Sequence, residues 1–261
     1  MNEERRERPA HMWEGVYATF AEAAAEHTVF EDSVWVDKNV TYAEQAIARS
    51  TGGAIPPVAV TTDHALPFLA AATARPGQPL RILDFGGGMG TSYVSLRAML
   101  PKELPVEFVV VENATLSGKG NALFASDPAV RFSADIPVPP ARFDIVHFGS
   151  SIHYVDDWKG VLAAVAALQP EYIVFAELTA ADNRSFVTAQ QYRGRRIPVR
   201  FWNFDEFAGA VRALGFDVVL KARYRGYWLA PDAELPPSNF DDDHRLRYTS
   251  QVVFRRARVQ E

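Results

Sequence analysis

The stretch Arg81-Ile82-Leu83-Asp84-Phe85-Gly86-Gly87-Gly88-Met89-Gly90-Thr91 constrains this chain more than any other. An apolar run ends in an acid, turns through glycines at 86, 87, 88 and 90, and enters a segment with helical character. That is the outline of a strand, a tight loop and a helix N-terminus. Glycine admits backbone angles closed to other residues and lets a ligand approach the main chain. The first amides of the helix add hydrogen-bond donors and the positive end of a dipole. The combination suits a nucleoside-type ligand.

The acid decides which ligand fits. A dinucleotide loop reads GxGxxG and places a pyrophosphate on the helix N-terminus. Here position 91 is Thr and Asp84 stands two residues before the first glycine. A carboxylate so close repels pyrophosphate and suits a ligand with an ammonium group, as in S-adenosylmethionine, which joins adenosine to a carboxylate and an ammonium. The chain resembles the class I S-adenosylmethionine-dependent methyltransferases, matching their first motif at Asp84, Gly86, Gly88 and Gly90. Later motifs follow in order. Val106–Val111 reads as a second strand ending in Glu112, an acid placed to accept from both ribose hydroxyls. The third strand, 130–135, ends in Asp135, which the resemblance places beside adenine. Phe143–Trp158 is similar to the fourth motif and its exit loop, and Tyr172–Glu177 reads as the fifth strand.

The fold expected is therefore α/β: a Rossmann-like seven-stranded methyltransferase sheet, last strand antiparallel, with an N-terminal helical cap. The cap is assigned to residues 1–78 and the methyltransferase domain to 79–261. Within the cap, helices are expected at Trp13–Glu26 from the spacing of Val16, Tyr17, Phe20, Ala23 and Ala24, at Thr41–Arg49 with Thr41 as N-cap, and at Asp63–Ala74. Gly52–Pro57 reads as a breaker. From Pro79 onward strands alternate with helices, as in a parallel sheet covered on both faces. Asp156 or Asp157 can cap a helix at 158–168, and Asn203 or Asp205 one at 206–214. Strands at 216–222 and 249–255 complete the sheet, after a polar stretch containing Pro231, Pro236 and Pro237.

The 261 residues are 48% hydrophobic and carry a net charge of −5. That balance offers no broad basic face for nucleic acid or an anionic membrane. No cysteine is present, which excludes disulfides and thiolate metal sites. No apolar run approaches the ~18–20 residues of a membrane span. A cytoplasmic protein, with homodimer formation left open, is the expectation.

The chain also resembles a little-characterised bacterial family of methyltransferases tied to surface-polysaccharide or specialised biosynthesis. The resemblance rests on Leu83–Gly90 with Tyr93, on Ser150-Ser151-Ile152-His153-Tyr154, on Phe201-Trp202-Asn203-Phe204, and on Trp13, Gly15 and Tyr17. It implies cofactor contacts at Tyr93 and Ser150 and an acceptor contact at Tyr154.

For the chemistry, His153 and Glu177 each follow a strand at the open edge of the sheet and are the candidate general bases. The alternatives are a packing or cofactor-orienting role for His153 and, for catalysis, alignment alone. His147, inside a strand, reads as a hydrogen-bonded core residue. Arg195, Arg196 and Arg200 form the basic cluster that would hold an anionic small-molecule acceptor. Asp241-Asp242-Asp243-His244 reads as a solvated loop, and no metal is expected. An S-adenosylmethionine-binding protein without methyl transfer is the alternative function, with a dehydrogenase third.

Overall fold

The computed structural model describes residues 11–23, 29–51, 63–192, 194–224 and 239–257. The N-terminal part holds β1 (Trp13–Tyr17), a single turn α1 (Phe20–Ala23), the long helix α2 (Ser33–Thr51) and α3 (Ala65–Thr73). Strands and helices then alternate through β2 (Leu80–Phe85), α4 (Thr91–Met99), β3 (Val106–Val111), α5 (Ala114–Leu123) and β4 (Val130–Ser133). There follow β5 (Ile145–Gly149), α6 (Trp158–Ala167), β6 (Tyr172–Leu178) and the short β7 (Ala180–Ala181). A hairpin of β8 (Phe186–Tyr192) and β9 (Arg195–Asn203) precedes α7 (Phe204–Arg212), β10 (Phe216–Tyr224) and β11 (Thr249–Arg256).

Seven strands form the main sheet in the order β10-β11-β6-β5-β2-β3-β4. The strands from β2 to β6 run parallel, and β11 lies antiparallel between β6 and β10, as the sequence led one to expect. Side chains alternate across the sheet. Leu83, Val109, Val146, Ile173 and Phe175 face α6 and α7, whereas Ile82, Phe108, Val110, Ile145 and Val174 face α3 and α4. Both faces are covered, so the strands read as unbroken apolar runs.

The caps resolve the two ambiguities in the sequence. Asp157 accepts from Gly160 N at 3.0 Å, and Asn203 accepts from Asp205 N at 3.0 Å and Glu206 N at 3.3 Å. Asp63 opens α3 by accepting from Ala65 N at 3.1 Å.

The N-terminal expectations need correction. Trp13–Tyr17 is a strand, not the start of a helix: Trp13 pairs with Gln190, Glu14 with Ala189 and Tyr17 with Val187. Gly15 has φ of +79°, and Val16, assigned to a buried helix face, is 48% exposed. A ladder offered by a strand some 170 residues later overrides local helix propensity. Thr41 does not cap a helix either. It lies inside α2 with Oγ1 donating to Asp37 O at 2.9 Å, and Asp32 caps that helix by accepting from Val34 N at 2.9 Å. The stripe that seats α2 is Val36, Val40 and Ala43 on Met89 and Leu116. The β8–β9 hairpin was not expected at all; it makes a second sheet in the order β1-β8-β9-β7. Glu26, the Gly52–Pro57 breaker, Arg193, Pro231, Pro236 and Pro237 lie outside the described residues.

Candidate active site

Parallel strands of one sheet end together, so the loops after β2, β3, β5 and β6 share one edge. After β2, Gly86, Gly88 and Gly90 have φ of +66°, +56° and +76°. The approach is close at Gly86, where an added Cβ would lie 2.4 Å from Ser151 Cβ. Ser151 Oγ donates to Phe85 O at 2.6 Å and so clamps the β5 exit loop onto the glycine loop. An added Cβ on Gly88 would stand 3.2 Å from Asn39 Oδ1, so α2 roofs the loop.

Glu112, at the end of β3, is brought to this loop. Its Oε1 accepts from Gly88 N at 3.2 Å and its Oε2 from Asn113 N at 3.0 Å. Burial raises its pKa, and the two amide bonds oppose that shift. Asp135 lies beyond β4, exposed, with its backbone carbonyl accepting from Ser133 Oγ at 2.8 Å. Tyr93 is not brought to the loop. It is buried in α4 against Phe108 and Phe124, its hydroxyl donating to Asp127 at 2.6 Å. Asp84 is fully buried beneath the loop, its Oδ1 2.7 Å from His147 Nδ1.

The other half of the site follows β5 and β6. Ser150 and Glu177 end these adjacent strands, with φ of +58° and +55°. Left-handed angles at non-glycine residues cost energy and cluster at functional sites. Here they turn Glu177 onto Ser150, whose side chain hydrogen-bonds its carboxylate. Burial pushes the Glu177 pKa up, and the Ser150 bond offsets part of that rise. A 3-10 turn, Ile152–Tyr154, then carries His153 inward, 97% removed from solvent by its 3% exposure. Burial drives its pKa down to about 3, and Nδ1 has no hydrogen-bond partner among the described residues. Tyr154 donates to Gln190 Oε1 at 2.7 Å; burial and then the Glu177 charge raise its pKa. A small chamber of about 30 Å³ lies among Trp13, Ser150, His153, Tyr154, Glu177 and Gln190. The β8–β9 hairpin thus supplies Gln190 as one wall, which sequence spacing alone did not reveal. Phe30 packs edge-on against Tyr154 at 5.1 Å and Trp35 against Tyr192 at 5.4 Å.

The basic cluster is not gathered at that chamber. Arg195 pairs with Asp32 at 2.9 Å, Arg196 bonds the Tyr17 hydroxyl, and Arg200 pairs with Asp156 at 3.3 Å. The loop acids are likewise engaged: Asp241 bonds His244, Asp242 faces Arg245, and Asp243 faces Arg184.

A sequence model of a methyltransferase domain matches residues 61–221, well over half of the chain. The chain belongs to the methyltransferase domain family. No curated protein matches its sequence. Among solved structures, one relative in fold is the methyltransferase partner in a complex with the Haloferax volcanii Trm112 methyltransferase activator. It is 13% identical with a TM-score of 0.55, over 89% of this chain and 97% of that one. Another is the Burkholderia thailandensis 1,6-didemethyltoxoflavin N1-methyltransferase with its substrate and S-adenosylhomocysteine bound. It is 18% identical with a TM-score of 0.50, over 90% and 93%. The (4+2)-cyclase SpnF shares the fold at 13% identity and a TM-score of 0.50, over 74% and 80%.

The cofactor of this methyltransferase domain is S-adenosylmethionine. The residues present fit it: a glycine cradle that Cβ atoms would fill, an acid at the β3 end beside it, and no basic side chain on the loop. When bound, this cofactor supplies an electrophilic methyl group on a sulfonium centre. Among the described residues, no helix is long and apolar enough to cross a membrane.

Proposed function

We propose that this methyltransferase acts on an oxygen or nitrogen of a small metabolite, with Glu177 as the general base. The observation that carries the proposal is the pair of left-handed residues, Ser150 and Glu177, at the ends of adjacent strands. It places a buried carboxylate in the chamber that Ser150 also lines, one residue from the Ser151 that packs against Gly86. A base works best with a pKa near the working pH. Glu177 is lifted toward that range, whereas His153 is held far below it. Glu177 accepts the acceptor's proton, and neutral His153 and Tyr154 shape the chamber and keep water out.

In the same proposal Gly86, Gly88, Gly90 and Ser150 line the amino-acid side of the cofactor, Glu112 its ribose and Asp135 its adenine. Glu112 would then exchange its bond to Gly88 N for the ribose hydroxyls. Arg195 and Arg196 brace the cap through Asp32 and Tyr17, and Arg200 ties β9 to the β5 exit loop through Asp156. Acceptor charge is therefore not set by them. The acidic composition and the resemblance to biosynthetic bacterial methyltransferases support a cytoplasmic role in biosynthesis.

A second reading, cofactor binding without methyl transfer, has one observation in its favour. The chamber of about 30 Å³ is far below the ~300–1,000 Å³ of ordinary ligand pockets, so turnover requires the chamber to open. The test is conversion of added S-adenosylmethionine to S-adenosylhomocysteine by the purified protein in the presence of small hydroxyl- and amine-bearing compounds. Acceptor-dependent release supports the first reading. Tight S-adenosylhomocysteine binding with no release from any of them leaves the second.

A further inference from the structure

The edge of the main sheet opposite the glycine loop carries an open cavity of about 770 Å³. Its walls come from the turn after α3, the start of β2, the segments ahead of β5 and β6, and the end of β11. The six residues of β2 rise ~3.3 Å each, so this edge stands about 20 Å from the glycine loop.

Five arginines line the cavity: Arg75, Arg81, Arg142, Arg255 and Arg256. Two acids, Asp144 and Glu171, line it with them. Glu171 is shared between Arg255 at 3.0 Å and Arg75 at 3.7 Å. Arg81 pairs with Glu107 at 3.0 Å, and Asp144 accepts from the Arg81 amide at 2.8 Å. Among the described residues, that leaves Arg142 and Arg256 without a carboxylate partner. Arg256 Nε donates to Pro170 O at 3.0 Å and its guanidinium lies over the Phe216 ring, but its Nη2 is buried with no hydrogen-bond partner among the described residues. Burial, and then the charge of Arg142, lower its pKa. Two guanidinium groups that repel each other with no acid between them are stabilised by an anion that meets both.

The wall also says which anion. Guanidinium forks match phosphate oxygens, which accept two parallel bonds at once. The arginines come from separate segments, so a single planar carboxylate cannot serve them, whereas two linked phosphates present oxygens on several sides. The arginines outnumber the acids by three, an excess that a diphosphate balances better than one phosphate of about two charges. The volume falls within the ~300–1,000 Å³ of small-molecule pockets. Gln78 and Gln169 add neutral amide donors to the wall.

We propose that this cavity is a second ligand site, selective for the diphosphate group of a small metabolite and separate from the methyl-transfer edge. Arg142 and Arg256 hold the diphosphate. Filling the site stabilises the folded chain by mass action and leaves the cofactor side unchanged.

The test uses the full chain saturated with S-adenosylhomocysteine, so that the cofactor side is filled. Inorganic pyrophosphate, inorganic phosphate and ADP are titrated by calorimetry against sodium chloride of matched ionic strength. Pyrophosphate should bind with a Kd below about 1 mM, the scale of about two charge-assisted hydrogen bonds, and about tenfold more tightly than phosphate. Tighter binding of ADP marks the ligand as a diphosphate ester, and tighter binding of pyrophosphate marks it as the free ion; both support the site. Arg142→Gln and Arg256→Gln should each weaken pyrophosphate by about tenfold or more. Arg184→Gln, which removes an arginine paired with Asp243 outside the cavity, should change it by less than about threefold. S-adenosylhomocysteine affinity should stay within about threefold in every variant, short of one charge-assisted bond, which also reports that each one folds. If Arg256→Gln does not fold, Arg142→Gln decides alone, because that side chain is exposed. Heat no greater than that of salt, phosphate binding as tightly as pyrophosphate, or cavity variants that lose no more than Arg184→Gln would overturn the proposal. If the unmodified chain binds no S-adenosylhomocysteine, the cofactor assignment fails, and the pyrophosphate titration still decides this site.

Discussion

At the scale of single residues, environment separates groups that look alike in the sequence. His147 and His153 lie six positions apart, and both are buried. His147 sits between two carboxylates and is held protonated, whereas His153 has no charged partner among the described residues and is held neutral. Their linkage to stability has opposite signs. The folded pKa of His147, raised to about 10, gives stability fully present below its ordinary 6.5 and lost as pH rises through 10. The folded pKa of His153, lowered to about 3, gives stability present above 6.5 and lost as pH falls through 3. Denaturant midpoints measured against pH should therefore peak near neutrality, His153→Gln flattening the acid limb and His147→Asn the alkaline one. A midpoint independent of pH on either side would refute the corresponding assignment. Glu112 allows a second prediction. Replacing it with Ala should weaken S-adenosylmethionine by about 1.5–3 kcal/mol, the scale of charge-assisted hydrogen bonds; unchanged affinity in calorimetry would remove it from the site.

At the scale of elements, legibility tracked how local the causes were. The strands of the main sheet could be read because apolar runs bounded by Gly, Pro and Asp carry their own signal. Glu112 and Glu177 could be read as strand-end acids for the same reason. The strand at Trp13–Tyr17 could not, because its partner is Val187–Gln190. The β8–β9 hairpin was hidden by its basic residues, which suggested a substrate loop; their charges are instead neutralised by Asp32 and Asp156 or shared with Tyr17. Asp63 was legible as the start of a helix, but not as a partner of His147, since nothing in spacing joins positions 63, 84 and 147. Caps are local, and they permit a direct test: Asn203→Ala removes the acceptor for two amides of α7. It should cost about 1 kcal/mol and lower Tm by roughly 2–4 °C for a chain of this size, with cofactor affinity unchanged. No shift in a thermal scan would show that solvent replaces the cap.

At the scale of the whole molecule, the parallel sheet collects its strand ends on one edge and the N-terminal segment closes over it. In the proposed function the glycine loop, Glu112 and Ser150 make the cofactor side, and His153, Tyr154 and Glu177 make the acceptor side. Between them Ser151 joins the two exit loops, α2 covers the glycine loop through Asn39, and Phe30 packs on Tyr154. Cofactor binding and base catalysis are thereby assigned to different strands and should be separable by mutation. The most direct measurement is turnover against pH for Glu177→Gln and His153→Ala, assayed side by side with an acceptor that supports S-adenosylhomocysteine release. The unmodified enzyme should gain rate as pH rises through the elevated pKa of Glu177. Glu177→Gln should lose that rise and about 10²–10⁴-fold in turnover, the range for a general base, while binding S-adenosylhomocysteine normally. If Glu177→Gln instead keeps its rate within about threefold, well short of that range, no side-chain base acts there and the assignment of Glu177 is wrong.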